Sequence, residues 1–600
     1  MPVANPKLLV TTALEETWGT DERLLFLGEW CKRYERRHVW GAREHQTVRF
    51  HWDDRDKLHR DYDYLESLHH SLLSCLASSL NELHEVSHTV RYWQILVDPW
   101  LMAWVGIVYD RWECLRLAFE EHGELDVVLL EEPASVDPPF SGLEFVIDAS
   151  TSDSWNQSLY RRILESRYSD RGRFRRVEMD CRPPETPQPT FSKRRNLPKR
   201  IAAGVEQLLG KFGFKNDTVF LESFFGYSAL IRLNIALGQM PRWYWNDFRF
   251  DELLVDLPPA GGAVPDRAAM ALSFRPESAF EGFINESIVD FLPRCLVEGY
   301  AVLRERANKV PIKTKAIVTA NAHWHNVPAK AWMAEQVSGG VKLVILEHGG
   351  SFPARKELFD FEEDISDVRG TWFLPYHQKH VQLPPSKLLS GRWPKWTRLT
   401  STTPRNYCVI IASSCPRYVY RAMHYPMAAQ GLVSLEQVVA LCAGLDDDVK
   451  KVLRVKPVPS NCGWNTRQRY TDILGPEHVL TEKKIDRVFQ SARLIVCTYP
   501  ETTFSEAMAS GVPMILIFSD RLNERHPATL PLLQVLRSAN VVFNDPVLAA
   551  AHINAVWKDP VRWWNSPTVL HARAEFRRQA MDLDSDWLKK WTRFVREVIV

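Results

Sequence analysis

The chain has 600 residues and a mass of 69.4 kDa, about four times a typical domain of ~150 residues, so two to four domains are expected. Hydrophobic residues make up 45% and charged residues 25%, the balance of an ordinary folded chain, which excludes intrinsic disorder. Against 74 acidic residues stand 75 basic ones, a net charge of +1, so no global field points to nucleic acid.

Ten cysteines are scattered without a C-x-x-C, which argues against zinc ribbons, redox motifs and a disulfide scaffold. Met1-Pro2-Val3-Ala4 lacks the basic and apolar regions of a signal peptide. The most apolar window, Pro99 to Tyr109, is shorter than the ~20 residues of a membrane span and is flanked by Asp98 and Asp110. A cytoplasmic protein is the expectation.

The chain opens on a strand-like run, Lys7 to Thr12, followed by the polar turn Glu15-Glu16-Thr17-Trp18. From Asp61 to about Glu121 the pattern is helical, with Leu65, Leu68, Leu72, Leu76 and Leu80 on one stripe. Asp126 to Leu130 reads as a buried strand. Residues 161–200 carry 13 basic and 5 acidic residues and end in a Pro-rich segment and Lys193-Arg194-Arg195, which predicts a linker or exposed loop.

A βα rhythm then resumes, with strands at Thr218–Leu221, Ala316–Ala320 and Lys342–Leu346. A second composition break lies at Pro384–Pro404. Beyond it, strands are predicted at Tyr407–Ile411, Val449–Val455, Leu494–Cys497, Pro513–Ile517 and Val541–Phe543, before a Trp-rich helical tail from Pro560. Continuous apolar strands alternating with helices imply parallel sheets covered on both faces. The predicted fold is α/β, two Rossmann-like domains facing a central cleft. Its boundaries are 1–395 (with a helical insertion about 61–125 and a basic loop about 161–200), 396–560, and a helical tail over 561–600.

Four segments could carry chemistry. Glu347-His348-Gly349-Gly350 follows a strand directly; a Glu-His pair there can supply a general base and its partner, and the glycines let a ligand approach the backbone. Asn321-Ala-His323-Trp324 ends the preceding strand and could face the same crevice. Lys456-Pro457 ends another strand, where a basic group can meet a phosphate. Glu501-Thr502-Thr503 opens a helix whose free N–H groups and dipole suit a nucleotide phosphate; Thr503 and Glu506 also have the spacing of a capping box. Asp61-Tyr-Asp63 and Asp584-Ser-Asp586 resemble a metal-binding D-x-D, but on predicted helices no metal role is expected. His84 and His88 read as packing residues.

These segments resemble the transferase family first noted in Leptospira O-antigen gene clusters. The resemblance rests on Leu9 to Trp18, Leu27-Gly-Glu-Trp-Cys31, Thr319-Ala-Asn321, Glu347 to Gly350, Glu363-Asp-Ile-Ser-Asp367, Lys456-Pro457, Thr502-Thr503 and Trp563-Trp564. A more distant similarity is to bacterial sialyltransferases and capsule-type Kdo transferases of GT-B fold. It implies that Lys456, Pro457, Thr502 and Thr503, with Glu501, Gly349 and Gly350, hold a cytidine-activated donor. His348 stands where that family has a carboxylate, and Lys456 where it has a His.

The combined expectation is a GT-B glycosyltransferase that transfers a Kdo- or nonulosonate-like sugar to a bacterial surface glycan such as O-antigen or lipopolysaccharide. Glu347 or His348 would act as acid/base, helped by Glu15 or Glu16, with Asn321, His323 and Trp18 on the acceptor side. No cofactor, metal or nucleic acid is expected. A glycan or lipid-linked acceptor and peripheral contact with the cytoplasmic membrane face are. The alternatives are glycerol- or ribitol-phosphate transfer from a CDP donor, and a non-catalytic glycan-binding protein of the same fold.

Overall fold

The computed structural model describes residues 7–20, 22–131, 138–178, 217–240, 267–310, 312–350, 352–389, 405–482, 484–583 and 586–599. Within them the aliphatic runs form three five-stranded sheets, parallel throughout. The first contains β1 (Leu8–Val10), β2 (Leu24–Phe26), β3 (His45–Thr47), β4 (Leu125–Glu131) and β5 (Gly172–Glu178), in the order β3-β2-β1-β4-β5. The second contains β6 (Thr218–Leu221), β7 (Ala316–Thr319), β8 (Lys342–Leu346), β9 (Val368–Thr371) and β10 (His380–Gln382), lying in sequence order. The third contains β11 (Tyr407–Ile411), β12 (Leu453–Lys456), β13 (Ala492–Cys497), β14 (Met514–Ile517) and β15 (Val542–Phe543), in the order β12-β11-β13-β14-β15.

The second and third sheets are the two halves expected around a cleft. Residues 1–395, expected as one α/β unit, hold two sheets joined by one large core. Part of the predicted basic loop is also ordered: Asp153–Arg167 is a helix and β5 is a charged edge strand. The remainder of that loop, residues 179–200, lies outside the described residues, as do Asp584 and most of the Pro384–Pro404 break.

Strand period fixes which face each residue covers. In β8, Leu343 and Ile345 enter the large core, while Val344 and Leu346 meet Trp591, Phe594 and Val595 on the opposite face. In β11, Val409 and Ile411 face one layer and Cys408 and Ile410 the other.

The predicted helical insertion is two long helices, Arg55–Leu83 and Val90–His122. Asp54 and Thr89 cap them, accepting from the N–H groups of Lys57 and Tyr92. The second helix is buried on nearly every face. It places Trp93, Trp100 and Trp104 in the core that joins the first two sheets. Its buried charged groups have partners: Asp98 meets His69 at 3.0 Å, and Arg111 bonds Asp110, Asn156 and two carbonyls. Among the described residues, no helix is long and apolar enough to cross a membrane.

The tail ties the halves together. Pro567–Ala580 packs beside the third sheet through Phe576, against Phe352 and Phe504. Trp587–Val598 then returns to the second sheet, where Trp591 Nε1 donates to the Pro384 carbonyl at 3.0 Å.

Candidate functional site

A cavity of about 970 Å³ opens between the carboxyl edges of the second and third sheets. In the third sheet, β11 and β13 are neighbours although β12 lies between them in sequence, so their carboxyl ends form a topological switch point, where open α/β sheets bind ligands. The loops leaving those two strands supply Ser413, Ser414, Thr498, Tyr499, Glu501 and Thr502 to one wall. The loops after β7 and β8 supply Asn321, Trp324, His325 and Glu347 to Gly350 to the other.

The two walls touch at Gly349. A methyl group there would overlap the Thr502 hydroxyl, so only glycine permits this approach. Gly350 adopts φ +117°, and a Cβ on it would lie 3.4 Å from both the Glu347 and the Glu501 carboxylates. The sequence therefore brings two carboxylates to one glycine, one from each wall.

Glu347 is held from both ends. Its Oε2 accepts from the Trp372 N–H at 2.6 Å, and its carbonyl accepts from Trp372 Nε1 at 3.0 Å. Burial raises its pKa to about 7, an effect that the Trp372 hydrogen bond and Arg369 oppose and that the Glu501 charge reinforces. His348 is open to the cleft, yet desolvation by the surrounding walls lowers its pKa to about 4. At neutral pH the Glu is poised to exchange a proton and the His is uncharged.

Burial also raises the Glu501 carboxyl, against the stabilising charge of Arg525. Arg525 Nη1 donates to Glu501 Oε1 at 2.9 Å and to the Phe352 carbonyl at 2.8 Å, and its guanidinium lies over Tyr425. Phe352 belongs to the loop after β8, so this buried arginine locks that loop to the third sheet. Arg421 faces the cavity too, bonded to Glu357 at 2.6 Å and placed over Trp324.

Thr502 begins the helix Thr502–Ser510, with Glu501 as its N-cap residue. The predicted capping box does not form. Thr503 is already inside the helix and pairs with the Tyr499 hydroxyl at 2.7 Å, while Glu506 lies 3.9 Å from Lys387.

Several expected residues lie elsewhere. His323 is fully buried and bonds Glu362 at 2.8 Å, a packing role that burial enforces by lowering its pKa to about 3. Lys456 and Pro457 do not line the cavity; Lys456 is buried beside Arg467 and Glu482, and only Val458 of that turn reaches the wall. Glu15 forms a two-pronged pair with Arg36 at the edge of the first sheet, and Glu16 is exposed there. Trp18 is a core residue packed edge-on against Phe26. None of these three lines the cavity. Asn321 does, with its amide donating to Glu222 at 3.1 Å.

The residues missed were Ser413, Ser414, Arg421, Tyr425 and Arg525. Ser-Ser-Cys at the end of a predicted strand was a usable signal; the arginines and Tyr425 come from long irregular segments with no pattern of their own.

A parallel α/β protein with a switch-point cleft and a poised carboxyl group is the class that fold and site define. The chain belongs to the LIC12162 family of transferases, whose model matches residues 7–595. No curated protein matches it in sequence. Among solved structures it is similar to MurG of Acinetobacter baumannii, at 13% identity over 63% of this chain and 99% of that one, TM-score 0.32. It is also similar to WaaG, a glycosyltransferase involved in lipopolysaccharide biosynthesis, at 9% identity over 49% and 94% of the two chains, TM-score 0.26. The wall teichoic acid polymerase TagF matches at 8% identity over 50% and 84%, TM-score 0.28.

Proposed function

We propose that this transferase is a GT-B-type glycosyltransferase that moves a sugar from a nucleotide donor, cytidine-activated and Kdo- or nonulosonate-like, to a bacterial surface glycan such as O-antigen or lipopolysaccharide. The observation that carries the reading is the switch point between β11 and β13, facing the Glu347–Gly350 turn across the Gly349–Thr502 contact. The donor phosphate would meet the free N–H groups of the helix Thr502–Ser510, the Thr502 hydroxyl and the Ser413 and Ser414 hydroxyls. Those donors and Arg421 supply positive potential to a leaving phosphate, so the reading requires no metal for the transfer itself.

Glu347 would take the proton of the acceptor hydroxyl as the glycosidic bond forms. A carboxyl group with pKa about 7 is matched to that task at neutral pH. Uncharged His348 would hydrogen-bond a sugar or acceptor hydroxyl rather than carry charge. The acceptor enters on the side of the second sheet, presented at the cytoplasmic face of the membrane.

A thermal-shift screen across CMP, CDP, UDP and GDP tests the donor, since a ligand at 100 times its Kd stabilises the fold by about 2.7 kcal/mol. CMP or CDP is expected to give the largest shift. A preference for a purine nucleotide would sink the cytidine assignment, and no shift from any nucleotide would sink the function. Mass analysis of the product separates sugar transfer from transfer of a glycerol or ribitol phosphate.

A further inference from the structure

Behind the cavity wall, four segments meet at one point. Their backbones close a ring of hydrogen bonds: Arg355 N–H to the Glu524 carbonyl at 2.9 Å, Glu524 N–H to the His424 carbonyl at 3.1 Å, and His424 N–H to the Lys356 carbonyl at 3.2 Å. The ring joins the loops after β8, β11 and β14. The fourth segment is the helix Arg55–Leu83, which lays His59 flat against His424, with ring centroids 4.7 Å apart.

Three side chains converge there: His59, His424 and Glu524. The Lys356 carbonyl lies 3.0 Å from His424 Nδ1, His424 Nε2 lies 2.7 Å from His59 Nδ1, and His59 Nε2 lies 3.0 Å from Glu524 Oε2. Each of these three gaps needs one proton to be a hydrogen bond. A carbonyl and a carboxylate bring none, and two neutral imidazoles bring one each. The chain of contacts is one proton short, so two lone pairs face each other unless a positive centre fills the gap.

The surroundings are those of a metal site rather than of a packing cluster. A ligating imidazole commonly gives its other ring N–H to a carbonyl, as His424 Nδ1 does to Lys356. The ligating carboxylate is in turn hydrogen-bonded, and Arg55 Nε holds Glu524 Oε1 at 2.7 Å, leaving Oε2 to face the histidines. Bonds of about 2.0–2.1 Å in a tetrahedron put neighbouring ligand atoms ~3.4 Å apart. With His59 Nε2–H turned to Glu524, the facing lone pairs are those of His424 Nε2 and His59 Nδ1, 2.7 Å apart, and His424 Nε2 lies 4.0 Å from Glu524 Oε2; the two distances straddle that value.

We propose that His59, His424 and Glu524 bind one divalent cation of the zinc class, which clamps the N-terminal helix to the loop junction behind the cleft. None of the three lines the cavity, so the ion is structural and stands apart from the transfer step. Imidazole nitrogen with one carboxylate oxygen is a donor set that suits zinc and does not suit magnesium or calcium.

The full-length protein, stripped with a chelator and then titrated with Zn²⁺ against a chromophoric competitor, tests the site. One ion per chain is expected at this site, with a rise in melting temperature. Loss of an outer partner alone costs about 10–100-fold in metal affinity, so His59→Gln and Glu524→Gln are each expected to weaken binding by at least ~100-fold. His59 is half-buried and on a helix surface, so its variant retains the fold, which circular dichroism checks. Absence of zinc binding to the wild-type protein overturns the proposal, leaving a third proton to fill the gap. Zinc affinity unchanged in both variants also overturns it, because the ion is then held elsewhere, for example at the buried group His51, Asp110 and Cys114.

Discussion

Gly349, in the loop after β8, and Thr502, at the start of the helix after β13, lie so close that a single methyl group cannot be placed between them. This contact sets the width of the cleft at the point where the carboxylates of Glu347 and Glu501 approach Gly350. Thr502 is β-branched and helical, so its hydroxyl has only two rotamers to choose between. Gly349→Ala is therefore expected to destabilise the protein by about 1–3 kcal/mol, the usual cost of overpacking, and to lower turnover by spreading the walls. Thr502→Ala in the same background removes the obstructing hydroxyl. Denaturant unfolding of the double variant should show it less destabilised than the sum of the singles by ~1 kcal/mol or more. Simple additivity would mean that the two residues do not press on each other.

A second expectation concerns the donor phosphate. Thr502→Ala should weaken nucleotide binding by about 1.5–3 kcal/mol, roughly 10–100-fold, as a hydrogen bond to a charged group is lost. Lys456→Ala should change it by less than about threefold, ~0.6 kcal/mol, because Lys456 lies outside the cavity beside Arg467. Calorimetric titration of both variants decides the matter. A large loss in Lys456→Ala alone would move the phosphate site towards β12.

Lys456 shows how far the sequence could be read. Strands β6, β8 and β11 lie at their predicted residues because each is a run of aliphatic residues buried on both faces. Strands β3, β9 and β10 were invisible, since each carries at most one aliphatic residue, β2 was passed over as an isolated three-residue run, and β5 was hidden by its arginines on an exposed edge. That is why the first sheet did not register as a separate layer. At the site, the Glu347–Gly350 turn and the Glu501–Thr502 helix start could be read because each follows a strand immediately. A residue's direction could not. Lys456 and Val458 are two apart on one turn, and only tertiary packing decides which reaches the cleft.

Arg525 is expected to be the costliest single loss near the site. It is buried and supports Glu501, the Phe352 carbonyl and Asn523 together. Arg525→Ala leaves the half-buried Glu501 carboxylate without its partner; a fully buried pair loses about 3–5 kcal/mol in this way, and this one, open to the cavity at its Glu501 end, is expected to lose less. Adding Glu501→Gln should recover part of that loss, since the uncompensated charge disappears. Arg525→Lys restores the charge without the planar fork and should fall between the two. Equilibrium unfolding that showed Arg525→Ala at wild-type stability would mean the arginine does not lock the loop after β8 to the third sheet.

The pH dependence separates the two candidate proton carriers. Glu347 has a folded pKa of about 7 against an ordinary value of 4.5, so the folded state holds its proton more tightly than the unfolded chain does. Its contribution to stability is then full below about pH 4.5 and is lost as pH rises to about 7. Glu347→Gln removes that loss, so the variant should gain melting temperature relative to the wild type at pH 8 and less at pH 5. In turnover, the carboxyl should produce a limb near pH 7 in the wild-type rate profile, and Glu347→Gln should lower the rate by roughly 10²–10⁴-fold without weakening nucleotide binding. His348→Ala should also slow turnover, through a lost hydrogen bond to substrate, but the limb near pH 7 should survive in it, because the imidazole, lowered to about 4, is already uncharged there. If the limb disappears in His348→Ala and persists in Glu347→Gln, the imidazole carries the proton and the carboxylate only orients it. If both variants keep wild-type turnover, the turn after β8 is not the catalytic centre, and Glu501 on the opposite wall becomes the carboxylate to replace next.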